Sequence, residues 1–417
     1  MKLSYRPIGD FIRQVKIKNS EGLYNDLQGI NIDKFFMPSV ANTVGVDLKK
    51  YKIIKKGQFA CNRMHVGRDY RIPVALSREV KPFIVSPAYN VFEIIDNSIL
   101  DPEYLMMWFS RPEFDRNAWF YTDADVRGGL PWDSFTSTEL PIPSLEKQLE
   151  IVKQYNKVID RIKLNETLNE KLEAVAKALY RQWFVDFEFP NKEGKPYKFS
   201  GGAMVWNDEL DKEIPEGWEA VPLKNFTEIN NGFSYKGGEL KKSKTALITI
   251  KNFSKNGLFK TNGYKEIETY RAKEIHFANE GDVIVAHTDL TKGAIIGKSI
   301  IILDSFGFDK LIISMDTVKV NTKSNNISNS LIRQIINDKS FSDYAMGFVN
   351  GSTVLHLSKK ALPNYDINLP KDRPKINKLS EDLNSLTTYQ KHIIKIDSKL
   401  IEAKTLLLSK MTSIEDE

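Results

Sequence analysis

The chain has 417 residues, of which 41% are apolar, 11% aromatic and 27% charged, with a net charge of +6. That length sets an expectation of two to four domains, and the composition suits a chain with packed cores rather than a disordered one. No stretch approaches the ~20 apolar residues that cross a bilayer, Met1-Lys2-Leu3-Ser4-Tyr5-Arg6-Pro7 lacks the apolar core of a secretory signal, and a single cysteine, Cys61, excludes an intrachain disulfide or a thiolate cluster; a cytoplasmic location without a membrane partner is expected.

In chain order, residues 1–142 read as mixed α and β. The runs Tyr51–Ile54 and Phe83–Val85 suit strands, Tyr104–Phe109 suits a short helix ending near Phe114, and Leu140-Pro141-Ile142-Pro143 closes a β-like run. Residues 143–184 contain no glycine or proline beyond Ser144 and place Leu145, Leu149, Val152, Ile159, Ile162, Leu168, Leu172, Val175, Leu179 and Trp183 at steps of three and four, with a polar break at Asn165. This is the signature of a long amphipathic helix suited to a coiled-coil seam. Residues 185–218, rich in glycine, proline and acid, read as a linker. Residues 219–370 are again mixed, with strands expected at Val283–Val285, Ile295–Leu303 and Thr317–Val320, turns at Asn231-Gly232, Gly237-Gly238 and Asn350-Gly351, and a short helix at Ser330–Ile336 ending near Phe341. From 371 to 417 a second amphipathic stripe follows: Ile376, Leu379, Leu383, Leu386, Ile393, Ile396, Leu400, Leu407 and Met411.

The two halves repeat each other. Leu140–Pro143 lies over Ile367–Pro370 at an offset of 227, Ile84-Val85-Ser86 over Ile312-Ile313-Ser314 at 228, Phe114 over Phe341 at 227, and Lys56–Phe59 over Glu280–Val283 at 224. Arg6–Phe11 resembles Val221–Phe226 at 215, so the offset drifts as loop insertions would make it. A period above 200 residues means two copies of a domain-plus-helix unit. The expected fold class is therefore α/β (mixed α+β): two similar domains, 1–142 and 219–370, with two long antiparallel helices as a coiled-coil spacer and a pseudo-twofold repeat.

Charge is concentrated in two runs. Lys49 to Lys81 holds ten basic and two acidic residues, and Lys236 to Lys265 holds eight and one, both interleaved with aromatics such as Tyr51, Phe59, Tyr70, Phe253, Phe259 and Tyr264. Such runs suit a phosphate backbone and bases; a solvated lysine-rich face is the other reading. No catalytic constellation stands out. The five histidines are scattered without metal-ligand spacing. Gly293-Ala294-Ile295-Ile296-Gly297-Lys298-Ser299 has one residue too few between its glycines for a phosphate-binding loop and runs into a β-like stretch. Asp186 with Glu193-Gly194-Lys195 imitates a nuclease site but lies in the linker.

Trp183-Phe184-Val185-Asp186-Phe187-Glu188-Phe189-Pro190, Gly194-Lys195-Pro196-Tyr197 and Ile214-Pro215-Glu216-Gly217-Trp218 resemble the central region of type I restriction–modification specificity (S) subunits, and Gly351-Ser352-Thr353-Val354-Leu355-His356-Leu357-Ser358 resembles the segment closing a target recognition domain in that family. The first half departs from it: no Ile-Pro-Glu-Gly-Trp precedes residue 142, and Arg127–Trp132 matches only loosely. The resemblance implies two target recognition domains, each reading part of a split double-stranded DNA site. It also implies type I methyltransferase subunits, two of them, that bind S-adenosylmethionine, and restriction or translocase subunits that use ATP and Mg. The chain itself then holds no cofactor and no catalytic residue. A protein-only coiled-coil scaffold and a self-sufficient methyltransferase or nuclease are the competing readings.

On that resemblance the expected DNA contacts are Arg63, His65, Arg68, Tyr70, Arg71 and Arg127 in the first domain. In the second they are Lys236, Lys241, Lys242, a polar loop of His287, Thr288, Asp289, Thr291 and Lys292, and Ser352, Thr353 and His356. Turn capping explains Ser352 and Thr353 equally well. The residues expected to pair the helices are Leu149, Val152, Ile159, Ile162, Leu168, Leu172 and Leu179 with Leu379, Leu383, Leu386, Ile393, Ile396, Leu400 and Leu407.

Overall fold

The computed structural model describes residues 5–40, 45–64, 66–122, 128–254, 256–290 and 293–412. It divides into two compact units, Met1–Lys163 with Lys399–Glu417, and Leu164–Ser398.

In the first unit, one four-stranded sheet runs in the order Ile12–Val15, Asn90–Ile94, Phe59–Cys61, Val74–Leu76, and a second in the order Phe36–Pro38, Leu27–Ile30, Phe83–Val85, Lys52–Ile54. Within the second sheet Leu27–Ile30 and Phe83–Val85 are parallel. A two-stranded ribbon, Tyr5–Pro7 with Glu139–Pro141, joins the ends of the domain. Strands such as Phe59–Cys61 and Val74–Leu76 are apolar at every position because both faces are covered. Phe59 stacks on Phe92 at 5.1 Å, and Phe109 and Phe135 close the same core. The helix Pro102–Phe109 starts where Asp101 accepts from the amides of Glu103 and Tyr104, with proline in its first turn. Helix Pro112–Phe120 follows. Phe114 thus opens a second helix instead of ending the first, and Phe341 likewise lies in Lys339–Met346, after Asn329–Asn337.

The second unit contains the same arrangement. One sheet is ordered Thr227–Asn231, Thr317–Thr322, Val283–Ala286, Ser299–Ile301; the other is ordered Lys265–Glu266, Thr245–Ile248, Lys310–Ile313, Phe277–Ala278, with Thr245–Ile248 and Lys310–Ile313 parallel. The ribbon is Trp218–Pro222 with Asp366–Pro370. Numbered along each unit, the strands fall in identical sheet orders. A small three-stranded sheet, Thr288–Asp289, Leu355–Leu357, Val349–Asn350, is additional. The expected strand at Ile295–Leu303 shortens to Ser299–Ile301, because residues 295–298 form a turn.

The stretch 185–218 does more than link. Trp218 packs on Phe184, Phe187 and Phe189 with ring centroids 5.5, 5.9 and 5.2 Å away, and Phe189 stacks on Tyr197 at 4.6 Å. Met204–Asn207 and Lys212–Pro215 form a hairpin. The aromatics supply the apolar area that the glycines and acids conceal in composition.

The long helices span Leu145–Phe184 and Asn377–Lys410. The unit boundary falls inside both of them instead of at 142 and 370, since each half-helix buries side chains in one core. Val152, Leu408 and Met411 belong to the first core, and Ala176, Tyr180, Leu379 and Leu383 to the second. Within the second unit, Asn165 Nδ2 donates to Asp397 Oδ1 at 2.6 Å. The buried stripe of the first helix is partly polar, with Gln148, Asn165 and Glu173 all under 5% exposed. Gln148 accepts from the Asp101 amide and donates to the carbonyls of Ile99 and Pro143. Of the expected pairing residues, Val152, Leu379, Leu383 and Ile393 are buried, and Ile159, Ile162, Leu172, Leu179, Leu386, Leu400 and Leu407 half-buried. Leu149, Leu168 and Ile396 are corrections: they stand 48%, 43% and 43% exposed. A helix of 3.6 residues per turn drifts against a fixed 3.5 repeat, so a single apolar stripe cannot stay inward over eleven turns.

Candidate nucleic-acid interface

In the first unit the chain leaves the strand Phe59–Cys61 and crosses the segment that leads to the closing ribbon. Leu130 N donates to Arg63 O at 2.9 Å, and Gly67 N to Gly128 O at 2.9 Å. A Cβ on Gly67 would stand 2.8 Å from the Gly128 Cα, so these glycines allow backbone to approach backbone. The expectation for Arg63 is corrected: its guanidinium donates to Asn90 Oδ1 at 3.0 Å and to the Leu130 carbonyl, and lies over the Trp132 ring. It ties strand, loop and helix together. His65 and Arg127 lie outside the described residues.

Arg68, Tyr70 and Arg71 reach the surface. Arg68 makes a two-bond pair with its neighbour Asp69, and Arg71 pairs with Asp33 at 2.9 Å. Both pairs are solvent-exposed, so their charges exchange readily for other anions. Tyr70 is 63% exposed at φ +56°, a left-handed conformation uncommon for a bulky residue. Its ring lies 5.3 Å from Trp119, and Trp119, Phe120 and Tyr121 are themselves 44%, 76% and 51% exposed. This aromatic surface escaped the sequence reading, although the run Trp119-Phe120-Tyr121 was its signal. Beside it opens a groove of about 830 Å³, lined among others by Asp33, Lys34, Tyr70, Arg71, Asp115 and Arg116.

In the second unit the same crossing recurs, with Leu357 N donating to His287 O at 2.9 Å. The expected polar loop is instead a strand: Thr288 and Asp289 pair with His356 and Leu355. Both side chains are buried. Thr288 Oγ1 bonds Asp316 Oδ1 at 3.0 Å, and Asp289 Oδ2 accepts from the amides of Ile295 and Ile296 at 2.9 and 3.3 Å. Thr288 and Asp289 are therefore fold-holding groups, because buried polar atoms must find internal partners. In the glycine loop that imitates a phosphate site, the Ile295 and Ile296 amides are already taken by the Asp289 carboxylate and the Gly297 amide by the Ala286 carbonyl. His287 is nearly buried, and burial, reinforced by Lys359 and His356, lowers its pKa to about 4. Thr291 and Lys292 lie outside the described residues.

His356 is exposed on the edge-facing hairpin whose turn holds Ser352 and Thr353, also exposed. Gly351 sits at φ +100°, where a Cβ would collide with the Val354 carbonyl. Lys236, Lys241 and Lys242 are exposed, with Glu268 3.9 Å from Lys241. Next to them Arg271 stacks over Phe233 and forks onto Glu239, whose carboxyl is held at about 2 by Arg271, the Lys236 amide and Thr269. The structure thus keeps Arg68, Tyr70, Arg71, the three lysines, Ser352, Thr353 and His356 available.

Residues 215–414 match the type I restriction modification DNA specificity domain. The chain is 29% identical over 174 residues to the type I restriction enzyme MjaIX specificity subunit of Methanocaldococcus jannaschii, an overlap covering 38% of each chain. It is 28% identical over 212 residues to the HindI specificity subunit of Haemophilus influenzae, covering 49% of this chain and 45% of that one. These overlaps span less than half the length of either relative. In fold, the chain is similar to the type I restriction–modification S subunit of M. genitalium, with a TM-score of 0.53 and 13% identity, over 99% of this chain and 96% of that one. The motif Ile214–Trp218 and the closing segment 351–358 carry the same likeness, so residues 215–414 are similar to the DNA specificity domain of type I restriction–modification specificity (S) subunits.

Proposed function

We propose that this chain recognises double-stranded DNA as the specificity subunit of a type I restriction–modification complex, and that it reads a bipartite target with an unspecified gap. The observation that carries the reading is the identical strand order of the two units, each followed by a long helix, which suits two readers derived from one duplicated module. The helices act as an antiparallel coiled-coil spacer; at 1.5 Å per residue a 40-residue helix is about 60 Å long. The Asn165–Asp397 bond supports that pairing, since a buried polar contact defines register. Methyltransferase subunits, two per complex, dock on this scaffold and bring S-adenosylmethionine. Restriction subunits bring ATP and Mg, so catalysis resides in the partners and the assembly works in the cytoplasm.

The test is selection of duplexes from a random double-stranded library by the full chain together with its methyltransferase partner, at several salt concentrations. Two separated half-sites and a steep salt dependence are expected. Binding without sequence preference would favour a protein-only scaffold, and methyl transfer by the chain alone would favour an enzyme.

A further inference from the structure

Two non-glycine residues of the first unit hold left-handed backbone conformations beside one groove: Lys34 at φ +71° and Tyr70 at φ +56°. Such conformations persist where the surroundings over-determine them, and they cluster at functional sites. One side chain connects both. Asp115, on the helix Pro112–Phe120 and 9% exposed, accepts through Oδ1 from the Lys34 ammonium at 2.7 Å and from the Ile72 amide at 3.1 Å. Lys34 also donates to the Phe109 carbonyl and lies over the Phe114 ring. The turn that carries Tyr70 and Arg71 is therefore fastened at Ile72 to the helix that carries Trp119 and Phe120, and the loop that carries Asp33 is fastened to it at Lys34.

We propose that Asp115 is a positioning residue for DNA recognition by the first unit: it holds Tyr70 against Trp119 and Arg71 against Asp33, so that an aromatic face and an exchangeable guanidinium meet the DNA together. The proposal rests on the DNA reading above. Arg71 trades its exposed carboxylate partner for a phosphate or a guanine edge, and the Tyr70–Trp119 surface supplies a stacking or wedging face. Without the Asp115 acceptor the Ile72 amide has lost its anchor, and the left-handed turn relaxes away from Trp119.

Duplex selection and titration with the full chain test this. Asp115→Ala is expected to erase base preference in one half-site and weaken binding about tenfold, the scale of one lost base contact. Tyr70→Ala should affect the same half-site, and the other half should stay unchanged in both. Asp115→Asn, whose carbonyl still accepts from Ile72, should retain the preference. The double variant Lys34→Met with Asp115→Leu separates positioning from stability, because an apolar pair replaces the buried ion pair without supplying an acceptor for Ile72. It should melt well above Asp115→Ala, below the parent only by the cost of the unanchored Ile72 amide, yet still lack the half-site preference. Recovery of preference along with melting temperature would overturn the proposal, as would Asp115→Ala selecting the parent sequences. A parent chain that selects no bipartite sequence would sink the DNA reading itself, and the two failures are thereby distinguishable.

Discussion

The buried pair between Arg333 and Glu173 joins the short helix Asn329–Asn337 to the first long helix inside the second unit. Arg333 Nη1 lies 2.7 Å from Glu173 Oε2, Nη2 donates to the Gly257 carbonyl at 2.7 Å, and the side chains are 6% and 5% exposed. Glu173→Ala leaves a guanidinium in the core without its counter-charge. Lys177, 3.9 Å from Glu173, is half-exposed and worth little to the pair. Removing one partner of a buried pair costs about 3–5 kcal/mol. At about 2–4 °C per kcal/mol for a unit of this size, the second unit should melt about 6–20 °C lower. Replacing both residues, Glu173→Leu with Arg333→Met, should recover most of the loss, because two packed apolar side chains need no desolvated charges. Differential scanning calorimetry of the full chain reads this directly. A Glu173→Ala variant within ~1 kcal/mol of the parent, or a double variant no more stable than the single one, would refute the argument.

Asn165→Leu removes the bond to Asp397 and is expected to cost about 1.5–3 kcal/mol by thermal unfolding, as for hydrogen bonds to charged groups. Arg63→Ala should lower stability by about 1–3 kcal/mol while leaving the selected DNA sequences unchanged, since the side chain is occupied by Asn90, Leu130 and Trp132; a shifted base preference at constant melting temperature would contradict this. His287 has a folded pKa near 4, below its ordinary 6.5, so the unfolded chain binds the extra proton between those values. Stability is then full above pH 6.5 and falls as the pH drops toward 4, by up to about 3 kcal/mol, and His287→Phe should flatten that slope in pH-dependent melting. Matched four-residue insertions in both long helices, in phase with the apolar stripe, should lengthen each by about 6 Å and widen the gap in the selected sites by one or two base pairs, roughly, without changing the bases read.

Local pattern carried much of the architecture. Phe83–Val85 and Val283–Ala286 were legible as strands because their β-branched and aromatic residues need no distant partner to declare themselves. The long helices were legible from three-and-four spacing without glycine or proline. The offset that sets Ile84-Val85 over Ile312-Ile313 is consistent with the matching sheet orders, in which Phe83–Val85 and Lys310–Ile313 hold the same place. Local pattern misled where one residue type serves two purposes. Ile295–Leu303 is an isoleucine-rich stretch interrupted by Gly297-Lys298-Ser299, yet its first part is a turn capped by Asp289, and apolarity alone does not separate buried turn from buried strand.

The sequence by itself determined the periodic features: the two long helices, the repeating pattern of the two halves, and the aromatic and glycine motifs of 183–218. Tertiary structure alone decided which polar side chains are free to meet a ligand. Arg63 reaches Leu130, Asp289 caps a turn six residues on, and Asp115 holds Lys34 eighty-one positions away. Leu149, Leu168 and Ile396 share the spacing of the buried leucines yet face solvent. The physical reason is common to all of them. A buried polar group must find its partner and an apolar stripe must find its surface, and both are chosen by the folded packing rather than by neighbours along the chain.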